Sequence, residues 1–136
     1  MRYLLVTGAR KYTRLMVVRE ALSTWVGEHD PEACLILHGG GRTGPAAQAE
    51  EWAKDRGIHC AKVTARWAAL GRGARPRRDS LLATLGATLG ATVYGFWDGR
   101  EGSLDTVRQC QRLRLSVRVW GPDGAPWLVA SNVSVR

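Results

Sequence analysis

Apolar and polar positions alternate along this chain between two rhythms. Arg2–Thr7 is a short apolar run closed by Gly8, which predicts a buried strand. From Leu15 to Trp25 the apolar residues Leu15, Val18, Leu22 and Trp25 recur at helical spacing. That predicts an amphipathic helix, with Thr13 as its N-cap and Asp30–Pro31 ending it. Cys34–Leu37 predicts a second buried strand, and Pro45–Arg56 a second helix with Gly57 as its stop. Ile58–Val63 predicts a third strand, followed by a basic loop at Arg66–Arg78 and a helix over Ser80–Leu89. Ala91–Trp97 predicts a fourth strand, Gly102–Leu113 a helix and Leu115–Trp120 a fifth strand. The turn signal Pro122-Asp123-Gly124 before Trp127–Ala130 predicts a terminal hairpin.

Strands alternating with helices imply βαβ units. The expected fold is α/β: a Rossmann-like three-layer sandwich around a mainly parallel sheet of about five strands. At 136 residues one domain is expected, since independent cores need roughly 100–200 residues each. The division expected is a body over 1–120 and an extension over 121–136.

Composition is that of an ordinary globular protein, except for charge. Lys and Arg number 20 against 12 Asp and Glu, a net charge of +8, and 17 of the cations are Arg. Such a balance favours anionic partners, although Arg preference also follows from a GC-rich genome. No run of about 18 apolar residues exists, so no transmembrane helix is expected. Leu4–Val6 is too short for a signal-peptide core, and a cytoplasmic protein without membrane contact is expected. Cys34, Cys60 and Cys110 show no Cys-x-x-Cys spacing, and His29, His38 and His59 add no zinc pattern. No metal and no cofactor are expected.

In an open parallel sheet, ligands bind beyond the carboxyl ends of the strands. Three loops there are rich in glycine: Thr7-Gly8-Ala9-Arg10-Lys11-Tyr12-Thr13, His38-Gly39-Gly40-Gly41-Arg42-Thr43-Gly44 and Asp98-Gly99-Arg100-Glu101-Gly102-Ser103. Each follows a strand and opens a helix. Glycine lets backbone approach an anion, and a helix N-terminus supplies free N–H groups and partial positive charge. Arg10, Arg42 and Arg100 lie one in each loop, which suits phosphate. His38 either touches the ligand or serves as a structural histidine. The pattern G-x-x-x-x-G-K-[ST] is absent, which excludes a P-loop NTPase, and the first loop lacks G-x-G-x-x-G. The Arg66–Arg78 segment holds five arginines and Trp67, a pattern that fits a phosphate lid, a nucleic-acid contact or a solvated loop.

The order of these motifs resembles the SLOG superfamily, which includes the SMF/DprA and Lonely Guy proteins. Within it, the chain is most similar to small stand-alone YspA-like domains of bacteria and phages. The resemblance covers Arg2–Trp120. It rests on VTGAR at Val6–Arg10 with Tyr12 and Thr13, on HGGGRTGPAAQAEEWAKDRGI at His38–Ile58, on RRD at Arg77–Asp79 and on FWDGREGS at Phe96–Ser103. It implies a Rossmann-like domain that binds a nucleotide or nucleotide-derived small molecule, as a sensor or sequestering protein.

The Lonely Guy branch releases the base from nucleoside 5′-monophosphates. By that likeness Arg78 matches an arginine preceding a helix, and Gly102 and Ser103 match a Gly-Thr. Thr106 then stands where the family has its glutamate. Cleavage of an N-glycosidic bond needs a carboxylate, which leaves Asp105 or Glu101 as candidates beside Arg78 for a phosphoribohydrolase or related N-glycosidase. Ala46 departs from the Asp that many YspA-like domains carry. A third expectation is DprA-like binding of single-stranded nucleic acid through Arg66–Arg78. The Lonely Guy likeness also implies a homo-oligomer.

Overall fold

The computed structural model describes residues 1–64, 74–100 and 104–130. Six strands form one sheet: β1 (Arg2–Gly8), β2 (Cys34–His38), β3 (His59–Lys62), β4 (Thr92–Phe96), β5 (Val117–Trp120) and β6 (Pro126–Ala130), in the order β3-β2-β1-β4-β5-β6. The first five pair in parallel, and β6 returns antiparallel to β5. The sheet is thus mostly parallel and Rossmann-like, with the terminal hairpin as its edge.

Four helices are described: α1 (Leu15–Val26), α2 (Gly44–Asp55), α3 (Ala74–Leu89) and α4 (Asp105–Arg112). Two apolar layers explain their placement. Leu4 and Val6 of β1 join Val18, Leu22, Ile36 and Trp52 in a core beneath α1 and α2. Leu5, one residue out of phase, joins Leu37, Leu82, Val93, Val107 and Val117 beneath α3 and α4. A strand covered on both faces must be apolar at successive positions, which is why Leu4-Leu5-Val6 does not alternate. Each such side chain contributes about 1.5–3 kcal/mol through burial.

The chain winds from β1 outward to β3, then returns through α3 to β4 on the other side of β1. The loops after β1 and β4 therefore diverge, and the crevice between them is the usual ligand position in this architecture. Among described residues, no helix is long and apolar enough to cross a membrane.

Three expectations change. α3 begins at Ala74 rather than Ser80, so Arg77 and Arg78 are helical and only the part of the basic segment at 65–73 lies outside the described residues. Pro76 does not prevent this, because first-turn N–H groups lack helix partners anyway. Thr13 does not cap α1; Arg14 occupies the N-cap, with no side-chain capping bond. The fourth strand stops at Phe96, and Trp97 instead turns its indole N–H onto the Arg100 carbonyl at 2.9 Å.

Candidate functional site

The first two glycine loops are fastened to each other through backbone. A Cβ on Gly8 would lie 2.7 Å from Pro45 Cγ and 2.8 Å from the Phe96 carbonyl oxygen, so only glycine lets β1, the start of α2 and the end of β4 converge. Ala9 N–H donates to that same Phe96 carbonyl at 3.2 Å. Gly44, at φ +85, lets the head of α2 approach the Ala9 carbonyl, where a Cβ would come within 2.9 Å. The Thr43 hydroxyl donates to the Arg10 carbonyl at 3.1 Å.

That last bond has a chemical consequence. Thr43 is the N-cap of α2, yet its side chain makes no capping bond to the helix. The first-turn N–H groups, Pro45 having none, are left without a side-chain acceptor. An oxyanion at this end would meet those N–H groups and the positive end of the helix dipole.

Arg78 braces the second loop. Its Nη1 donates to the Gly39 carbonyl at 2.9 Å, and its Nε donates to Asp79 Oδ1 at 2.8 Å. Asp79 is buried, so the guanidinium neutralises a carboxylate inside the protein while holding the loop. A Cβ on Gly39 would strike Nη1 at 2.7 Å. On the other side, Lys62 lies against Gly40, its Cδ 3.1 Å from where a Cβ would sit.

His38 is wholly buried beneath this loop. Its Nδ1 accepts from the Gly40 N–H at 3.0 Å, which requires the neutral tautomer carrying hydrogen on Nε2. Burial lowers its pKa, Glu50 opposes that effect, and Lys62 adds to it. Nε2 has no hydrogen-bond partner and lies 4.0 Å from Glu50 Oε1. Nearby Cys60 is no ready nucleophile: burial, then the Glu50 charge, push its thiol up to about 11.

The third loop is an Asx turn in its described part. Asp98 Oδ1 accepts from Arg100 N–H at 3.0 Å, with Gly99 between them at φ +95. Glu101, Gly102 and Ser103 lie outside the described residues, as do Arg66 and Trp67. Asp105 opens α4 as an exposed residue, 3.8 Å from Arg108, and Thr106 is buried. Arg10 and Arg42 have exposed side chains. Tyr12 is buried, donates its hydroxyl to the Gly121 carbonyl at 3.0 Å and packs on Phe96 at 5.5 Å. Its polar atom is thus committed to joining the first loop to the hairpin turn. Among described residues, no cluster of His, Cys, Asp and Glu could hold a metal ion.

Neither Lys62 nor Glu50 stands out in the sequence as a site residue. The available signal was the parallel register, which sets Lys62 opposite His38 at the carboxyl end of the sheet.

A family model described as the YspA, cpYpsA-related SLOG family matches residues 2–69, half of the chain. That span includes the first two glycine loops. No curated protein and no solved structure matches the chain.

Proposed function

The chain belongs to the YspA, cpYpsA-related SLOG family, and from that premise we propose that it binds a nucleotide or nucleotide-derived ligand at the carboxyl edge of its sheet, as a sensor or sequestering domain. Family membership is consistent with a nucleotide-related ligand. The observation that carries the reading is the uncapped start of α2, closed against the Gly8–Arg10 loop. Thr43 spends its hydroxyl on Arg10, so the first-turn N–H groups of α2 remain for a phosphate. Arg10 and Arg42 are exposed in the same two loops and supply countercharge. Gly39–Gly41, shaped by Arg78 and Lys62, lets the ligand approach the backbone.

Binding is favoured over hydrolysis because of how the described catalytic candidates are engaged. Arg78 holds Gly39 and Asp79, and Asp105 is exposed beside Arg108. Neither arrangement presents an unengaged acid–base pair to a ribosyl bond.

Thermal shift against AMP, ADP-ribose, NAD and cyclic nucleotides tests the proposal. A ligand at about one hundred times its Kd stabilises by about 2.7 kcal/mol. The discriminating variant is Thr43→Asp. An aspartate caps a helix better than threonine but repels phosphate at the same N–H groups. The expected result is an unchanged or raised Tm without ligand and loss of the nucleotide-dependent rise. No rise with any of these ligands in the wild-type protein, or a rise undiminished in Thr43→Asp, overturns the proposal.

A further inference from the structure

The second glycine loop has two flanks, and a cation stands on each. On the β1 side, Gly44 lies against the Arg10 backbone and the Thr43 hydroxyl is bonded to the Arg10 carbonyl. On the β3 side stands Lys62, paired in register with His38 at the carboxyl end of the sheet. Its stem runs along Gly40, where a Cβ would lie 3.1 Å from Lys62 Cδ and 3.3 Å from Lys62 Cγ. Gly40 at φ +80 and Gly41 at φ +129 keep that strip of backbone free of side chains. The Lys62 ammonium, two bonds beyond Cδ, is thereby kept beside the loop. Its charge reaches His38 beneath, whose pKa it helps to lower.

Arg78 and Lys62 differ in what they have left to give. Arg78 is engaged by Gly39 and Asp79. Lys62 is exposed, and its ammonium has no ion pair or hydrogen bond among the described residues. Arg10, Lys11 and Arg42 are exposed as well, while Thr7–Thr13 and His38–Gly44 contain no Asp or Glu. Glu50, 4.0 Å from His38, forms no ion pair with Lys62. One phosphate at the start of α2 is served by the first-turn N–H groups together with Arg10 and Arg42. The strands that lead to Arg10 and Lys62 are two sheet spacings apart, about 10 Å. A phosphate oxygen sits only about 2.8 Å from its donor. A single phosphate on the β1 flank therefore leaves Lys62 without an anion, and a second one linked to the first meets it.

We propose that the ligand is a nucleotide with two or more linked phosphates, one at the start of α2 and the next on Lys62, above Gly40 and Gly41. The assignment rests on the nucleotide reading and names the residue that selects among nucleotides.

Isothermal titration of the whole chain with the mono-, di- and triphosphates of adenosine and guanosine, free of divalent cations, tests this. In at least one series the di- and triphosphate should bind about tenfold tighter than the monophosphate, the scale of a charge-assisted hydrogen bond. Lys62→Gln should bring them to within about twofold of the monophosphate, whose own affinity stays unchanged. Lys62→Arg should keep most of the preference. Lys54→Gln removes the same charge from the last turn of α2 and should change none of these affinities. A purely structural role for Lys62 would instead weaken all three nucleotides together. Circular dichroism and Tm of Lys62→Gln should match the wild type, because the side chain is exposed. Should that variant fail to fold, the wild-type preference and Lys62→Arg still decide. Equal affinity of the wild-type protein for mono- and diphosphate overturns the proposal and leaves the nucleotide reading standing. So does a preference that survives Lys62→Gln, or one that Lys54→Gln removes equally. If no nucleotide of either series binds, both readings fall together.

Discussion

Arg78 and Arg118 carry the same group on two sides of the molecule, with its donors used in opposite ways. Arg78 is at one end of the sheet, where Nε is held by Asp79 and Nη1 by the Gly39 carbonyl. Arg118 is in the β5–β6 hairpin, where Nε is buried with no acceptor. An arginine in a glycine-loop neighbourhood looks like a phosphate ligand from sequence. The structure gives Arg78 a prior engagement, and its contribution to a ligand passes through the loop it holds. Arg118 sits within an ordinary-looking strand, Val117–Trp120, bonded to Tyr94 yet with its buried Nε–H unpaired. What an arginine does is decided by which of its N–H groups are already satisfied.

The sharpest way to break this contrast is to remove each guanidinium. Arg78→Ala leaves the buried Asp79 carboxylate without its partner and the Gly39 carbonyl without its donor. Breaking a buried pair costs about 3 kcal/mol or more, which corresponds to a fall in Tm on the order of 10 °C. Arg118→Gln should cost less, about 1 kcal/mol, since it gives up a cation–π contact with Trp120 and a bond to Tyr94 but breaks no buried ion pair. Denaturant melts of the two variants check this. Equal losses would erase the distinction between an arginine that holds a buried carboxylate and one that does not. Arg78→Lys should fall between, since an ammonium keeps the charge near Asp79 but cannot span both acceptors.

Gly8→Ala comes next. The added methyl meets Pro45 and the Phe96 carbonyl at less than van der Waals separation. Overpacking of this kind costs about 1–3 kcal/mol. It should also weaken any nucleotide-dependent thermal shift, because the first loop can no longer close on α2. Loss of stability with an intact nucleotide response would separate the loop junction from the proposed site.

The fold is legible because the βαβ alternation is written in local apolar spacing. Leu4-Leu5-Val6 and Cys34–Leu37 could hardly be anything but strands covered on both faces. The hairpin was legible for the same reason: Asp123 and Gly124 carry turn chemistry, which the Asp123 Oδ1 bond from Ala125 N–H bears out. The start of α3 was not legible, because Pro76 and the run of arginines look like loop in isolation. The glycine loops were visible as glycines, but not what they meet. That Gly8 faces Pro45, or that Thr43 turns from its own helix toward Arg10, depends on contacts across 33 or more residues.

Smaller effects probe how the hairpin is tied to the loops. Tyr12→Phe removes the hydroxyl that joins the first loop to Gly121. The net loss should be about 1 kcal/mol, the contribution of one such bond, since the Gly121 carbonyl keeps the Gly124 N–H at 3.0 Å. If Tyr12 acts only as this strut, Tyr12→Phe should leave nucleotide affinity within a few tenths of its logarithm. A larger drop would make the hydroxyl a ligand contact despite its present bond.

The gentlest test is acid. His38 has its pKa lowered from 6.5, chiefly by burial, so the folded protein holds it neutral where the unfolded chain would protonate it. The unfolded state therefore binds more protons below about pH 6.5, and stability falls as pH drops through that region toward the folded pKa. Above pH 6.5 this contribution is complete and flat. Protonation also puts a hydrogen on Nδ1, which must then give up the Gly40 N–H, while the cation is drawn to Glu50. The second glycine loop should thus loosen before the rest of the fold. Amide exchange at Gly40 should accelerate between pH 6.5 and the acid unfolding transition, beyond its intrinsic pH dependence, while that at Arg118 does not. Replacement by His38→Gln, which is neutral at every pH, should remove the pH dependence of both stability and exchange in that range. If the slope survives the substitution, another group sets it, and the loop at Gly39–Gly41 is held by Arg78 and Lys62 without help from beneath.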